Sequence, residues 1–134
     1  MTNESLVNRL KELEGDGFFD ELVIKRGIEK EFFRIDSDGF MSKRPHPKSL
    51  GSALKNKYIT TDFAEAQLEL VTPVFENIDT LYDFLYSLHV YVAKNIDEDE
   101  MLWPFSMPPK IKNESDINLG YCHQSDIGLL KHVY

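Results

Sequence analysis

Two short runs place carboxylates on a strand pattern, and that placement constrains the fold more than any other feature of the chain. The first is Gly27-Ile28-Glu29-Lys30-Glu31-Phe32-Phe33-Arg34, and the second is Ile59-Thr60-Thr61-Asp62-Phe63-Ala64-Glu65-Ala66-Gln67-Leu68-Glu69. Side chains alternate faces along a strand, so Glu29 and Glu31 point one way, as do Glu65, Gln67 and Glu69 in the second run. If the two strands are neighbours, their acidic faces converge. Like charges held together destabilise a fold unless water screens them or a cation neutralises them. A divalent metal is the economical reading of such a face.

The bulk composition agrees with a folded, cation-tolerant protein. A chain of 134 residues with 42% hydrophobic content fits one domain with a modest core. Twenty-three acidic against 15 basic residues give a formal charge of -8, which argues against nucleic-acid or anionic-membrane partners, because phosphates need Lys and Arg. Cys122 is the only cysteine, so no intrachain disulfide forms, and cytoplasm is the expected compartment. Met1 to Leu10 lacks the pattern of a signal peptide, and no run approaches the roughly 18 apolar residues of a membrane span.

Along the chain, Ser5 is expected to cap a short packing helix that buries Leu6, Val7, Leu10 and Leu13 and ends at Gly15-Asp16-Gly17. Gly27 to Ile35 reads as a strand closed by the turn Asp36-Ser37-Asp38-Gly39. Pro45, Pro47, Ser49 and Gly51 mark a loop, Ser52 to Lys57 a helical turn, and Ala66 to Thr72 a second strand closed by Pro73. Between Asn77 and Asn95, Ile78, Leu81, Leu85, Leu88 and Val92 recur at helical spacing, with Asn77 as cap. Asp97 to Glu100 is expected to be a solvated helix exit, and Trp103 to Pro109 an extended or turning stretch. Ile127 to Tyr134 begins a helical pattern without a cap or breaker, which suggests a fragment of a longer domain.

Bland readings compete with the functional ones. An alternating Glu-x-Glu arises readily in an acidic chain and can protect a strand edge, and Asp62 suits a turn. The pairing of two acidic segments is what favours Mg2+, which takes carboxylate oxygens together with waters and substrate phosphates. His46, His89, His123 and His132 form no zinc-ligand spacing with Cys122 and read as structural or solvent-facing. Phosphate-loop, dinucleotide and serine-nucleophile motifs are all missing from the sequence. Trp103, Phe84, Tyr82 and Tyr86 read as core or helix-face residues.

Beyond these patterns, Leu50-Gly51-Ser52-Ala53-Leu54 leading into Ile59 to Ala66, together with Gly27 to Glu31, strongly resembles the bacterial glutamate-cysteine ligase family. The run Met101-Leu102-Trp103-Pro104-Phe105-Ser106-Met107-Pro108 is similar to that family's Trp-Pro-x-Ser-Met-Pro segment. The resemblance spans Gly27 to Tyr134 and keeps the family's block order and spacing. It implies an α+β fold, part of a glutamine-synthetase-like catalytic fold with a curved antiparallel sheet and packed helices. Residues 1-134 would be the N-terminal portion of a single catalytic domain. The implied reaction joins the γ-carboxylate of L-glutamate to the amine of L-cysteine through γ-glutamyl phosphate. ATP would be the co-substrate, with Mg2+, or Mn2+ in its place, as the metal; this is the first step of glutathione biosynthesis.

By the same resemblance, Glu29, Glu31, Asp62 and Glu69 fall on metal-binding positions, Phe63 on an aromatic near the cysteine pocket, and Tyr134 on a pocket tyrosine, while Glu65 stays structural. No catalytic residue separate from the metal ligands is implied. The family's remaining ligands and nucleotide contacts would follow Tyr134, so the isolated chain is expected to be inactive and to need the remainder of the ligase chain as its partner. The alternative is a stand-alone acidic binding or regulatory module derived from such a ligase.

Overall fold

A computed structural model of the chain describes residues 2–120. The expected helix over 127–134, Tyr134 and Cys122 lie outside the described residues. Helix α1 (Asn3–Gly15) opens the chain, followed by strand β1 (Glu29–Ile35), strand β2 (Ile59–Thr61) and strand β3 (Gln67–Val71). Helix α2 (Ile78–Asn95) and strand β4 (Met101–Trp103) complete the main elements, with short 3₁₀ turns at Lys48–Leu50 and Glu114–Asp116. The four strands form one antiparallel sheet in the order β2-β3-β1-β4.

Alternation along the strands separates two faces. On one, Phe32, Leu68, Leu70 and Ile59 are buried and meet Val92 of α2 and Leu50, with Leu85, Leu88, Ile96 and Leu102 packed around them. Burying aliphatic side chains of this size contributes about 1.5–3 kcal/mol each. α2 covers that face because Leu81, Leu85, Leu88 and Val92 recur on one side of the helix. Its first turn is capped as expected, since the Asn77 side chain accepts from the Thr80 amide at 2.9 Å. Ile78 sits at the exposed start of that stripe, and Tyr82 and Tyr86 stack on each other at 6.2 Å on the outer surface.

Several sequence expectations change. The cap of α1 is Thr2, which accepts from the Ser5 amide, so Ser5 is the donor that is capped rather than the cap itself. α1 buries no residue: Leu6, Val7 and Leu10 are 49%, 48% and 47% exposed, and the expected packing helix is not packed. Apolar spacing encodes an amphipathic stripe but not the surface that covers it. The run from Ile59 to Glu69, read as one strand pattern, divides into two strands, Ile59–Thr61 and the one that begins at Gln67, and the expected extended stretch at Trp103 is the end of strand Met101–Trp103. The Asp36 turn forms as read, with the Asp36 carboxylate accepting from the Asp38 and Phe40 amides at 3.0 and 2.9 Å and Gly39 at a φ of 81°.

Candidate functional site

The second sheet face carries the acidic residues. Glu31 of β1 lies directly opposite Glu69 of β3, and Glu69 lies opposite Thr60 of β2. Thr60, Glu69 and Glu31 thus make one row across three strands. The next row is Gln67, Phe33 and Trp103, and Glu29 pairs with Val71 in the row on the other side. Asp62 follows β2, its amide donating to the Gln67 carbonyl at 3.0 Å, which extends the ladder by one residue. None of Glu29, Glu31, Phe33, Gln67, Glu69 and Val71 is fully buried.

The expected convergence therefore holds for Glu31 and Glu69, which are cross-strand neighbours. Among the described residues, however, no three His, Cys, Asp or Glu side chains come together closely enough to hold a metal ion. The reason is sheet geometry: residues two apart on one strand are roughly 7 Å from each other, and diagonal neighbours are about as far. Glu29 and Asp62 share the face without joining the pair. A pair of carboxylates nevertheless suits Mg2+, which commonly uses one or two protein carboxylates and completes its octahedron with waters and phosphate oxygens. The donor set fits the metal in its chemistry.

Beside this pair, a cavity of about 420 Å³ is lined by Glu31, Phe33, Gln67, Phe105, Ser106 and Pro108, among others. Phe105 packs edge-on against Trp103 at 4.8 Å, and the Trp103 indole donates to the Met107 carbonyl at 2.8 Å, which folds the Pro-rich segment back. At the opposite end, residues 118–120 run alongside 63–65. The Glu65 amide donates to the Asn118 carbonyl and the Gly120 amide to the Phe63 carbonyl, both at 2.8 Å. A β-carbon on Gly120 would lie 2.7 Å from the Asp62 carbonyl oxygen, so only glycine permits this approach. Phe63 is 42% exposed beside that junction.

The supports behind the sheet were not legible as such. Arg34 lies on the buried face of β1 and donates to both oxygens of Glu100 at 2.7 and 2.9 Å, with side-chain exposures of 0% and 2%. Ser42 donates to the same carboxylate. The other Arg34 amino group reaches the carbonyls of Arg44, Pro45 and Glu65 at 2.7, 3.0 and 3.1 Å. Glu100 is thus a buried ion-pair partner and not part of a solvated exit; Asp97 and Asp99 remain exposed and pair with Arg44. The Arg44 guanidinium holds the Asp99 carboxyl below the usual carboxylate range. Parity was the available signal, since Arg34 shares the face of Phe32.

Glu65 is structural, as read from the sequence, accepting from the His46 amide at 2.8 Å. His46 is part-buried and its Nδ1 lies 2.8 Å from the Thr61 hydroxyl, one residue before Asp62. Burial and then the Arg34 charge push the imidazole below its usual 6.5, so it is held neutral.

With that arrangement established, comparison with known proteins is decisive. The family model described as glutamate-cysteine ligase matches residues 10–134. The chain belongs to the glutamate-cysteine ligase family. The glutamate-cysteine ligases of Serratia proteamaculans and Yersinia pseudotuberculosis are each 49% identical to it over 111 residues, which is 83% of this chain and 21% of theirs. The chain therefore spans about a fifth of the length of these curated relatives. Among solved structures, the glutamate-cysteine ligase of Francisella tularensis in complex with AMP superposes with a TM-score of 0.73 at 37% identity, covering 82% of this chain and 22% of that one. A bifunctional glutathione synthetase from Pasteurella multocida gives 0.71 at 34%, covering 82% and 14%. The mixed helical and antiparallel architecture is thus shared with these ligases. Among the described residues, no helix is long and apolar enough to cross a membrane.

Proposed function

We propose that residues 1-134 are the N-terminal portion of a single ligase catalytic domain with a glutamine-synthetase-like sheet. The domain joins the γ-carboxylate of L-glutamate to the amine of L-cysteine at the expense of ATP. The observation that carries this reading is the Glu31–Glu69 pair on the sheet face opposite α2, inside a chain of this family. The AMP held by the Francisella relative supports a nucleotide at the same kind of site.

In this reading Glu31 and Glu69 would hold Mg2+, or Mn2+ in its place, and Glu29 and Asp62 are the further carboxylates on the same face. The metal's contribution is to neutralise charge on the phosphoryl group being transferred. A carboxylate is a poor electrophile, so the glutamate γ-carboxylate oxygen first attacks the γ-phosphorus of ATP and expels ADP. The cysteine amine then attacks the acyl carbon of γ-glutamyl phosphate, losing a proton as inorganic phosphate leaves. Phe63 is the aromatic near the cysteine pocket, and Tyr134, outside the described residues, is assigned to substrate binding by the family resemblance alone. Biosynthesis of this kind belongs in the cytoplasm, and the remainder of the ligase chain is the segment's principal partner.

The test is substrate omission on the complete ligase carrying this segment. ADP release should require glutamate, cysteine and Mg2+ together. Preference for another amine over cysteine would sink the cysteine assignment while leaving the acyl-phosphate chemistry.

A further inference from the structure

Cross-strand register puts Glu31 directly opposite another carboxylate, yet its side chain is tied elsewhere. The Gln67 amide nitrogen donates to Glu31 Oε2 at 2.9 Å. Gln67 sits opposite Phe33, so this bond runs diagonally across β1 and β3 and draws the Glu31 carboxylate along the sheet, away from the straight-across line to Glu69. It also assigns the two oxygens different jobs. Oε2 takes a neutral donor, and Oε1 is the oxygen left to offer a cation.

We infer that Gln67 is the positioning residue for Glu31, fixing which carboxylate oxygen and which direction are presented to a divalent cation on the acidic sheet face. The inference rests on the metal reading above and goes beyond it by assigning a residue that no resemblance marked. Three features support it. Gln67 is a donor on a rigid strand rather than a loop, it lies on the same face as Glu31 and Glu69, and it lines the same cavity as Glu31. A carboxylate in a like-charged pair has several competing rotamers in water, and a fixed amide donor selects one of them before the cation arrives. Outer partners of metal-binding carboxylates typically govern about 10–100-fold in metal affinity.

The experiment is Mn2+ titration followed by electron paramagnetic resonance on the complete ligase carrying this segment, comparing wild type, E31Q, Q67L and the double variant E31Q/Q67L. Circular dichroism and thermal midpoints serve as the structural control. The expected result is that Q67L weakens Mn2+ binding about 10–100-fold at an unchanged thermal midpoint. In the E31Q background Q67L should add nothing, because Gln67 acts through Glu31. Equal Mn2+ affinity in wild type and Q67L, with E31Q impaired, would overturn the role of Gln67 and leave the metal reading standing. Mn2+ affinity that E31Q does not change would overturn the metal reading and this inference with it.

Discussion

At the scale of single residues, the Arg34–Glu100 pair is buried, so the loss of either partner is costly. Removing one partner leaves the other charged and out of water, at a cost of about 3–5 kcal/mol. Glu100→Ala should therefore lower the urea midpoint of the chain by that equivalent, whereas Glu98→Ala, at an exposed neighbour, should leave it nearly unchanged. His46 supplies a separate, pH-dependent signature. Its folded value lies below 6.5, so as pH falls through 6.5 the unfolded chain takes up a proton that the folded chain refuses. Stability should be full above that point, decline on acidification, and level off below the folded value. His46→Gln should remove this slope; an unchanged slope would mean the imidazole is not held neutral. The depressed Asp99 and Asp116 carboxyls act only in a lower window, below their ordinary 3.8. Composition and spacing reveal the charges of Arg34 and Glu100 but not their union, because 66 residues separate them and only the fold brings them together.

The elements divide by length in how clearly the sequence announces them. α2 has 18 residues, a repeated apolar stripe and its own cap, so both its span and its buried side are readable. β1 and β3 declare themselves by alternation. β2 and β4 have three residues each and are too short for a period to emerge; pairing with their neighbours creates them. Asn77→Ala should cost about 1 kcal/mol of stability through loss of the cap, measured by thermal or chemical unfolding. Gly120→Ala tests the close approach beside the site. A methyl placed 2.7 Å from the Asp62 carbonyl must push the two segments apart. The expected loss is about 1–3 kcal/mol, with amide shifts in nuclear magnetic resonance spectra confined to 61–65 and 118–120. Shifts spread over the whole sheet would contradict a local clash.

For the molecule as a whole, a sheet covered by α2 on one face and left with carboxylates on the other is the arrangement that turns sequence into candidate chemistry. Glu31 and Glu69 were legible because period-two alternation fixes their faces; their direct opposition depends on a register that no local pattern specifies. The role of Gln67 has no signal in the sequence, because an amide between two acidic residues becomes informative only through the fold that brings its donor to Glu31. The central claim is that this acidic face holds the metal of a glutamate-cysteine ligase. The most direct measurement is ADP release, with glutamate, cysteine and Mg2+ all present, by the complete ligase carrying Glu31→Gln or Glu69→Gln. The account predicts a fall in turnover beyond the roughly 10–100-fold expected for loss of a mere outer partner, in protein that remains folded. Near-normal turnover in both variants would contradict it and remove the pair from the metal site.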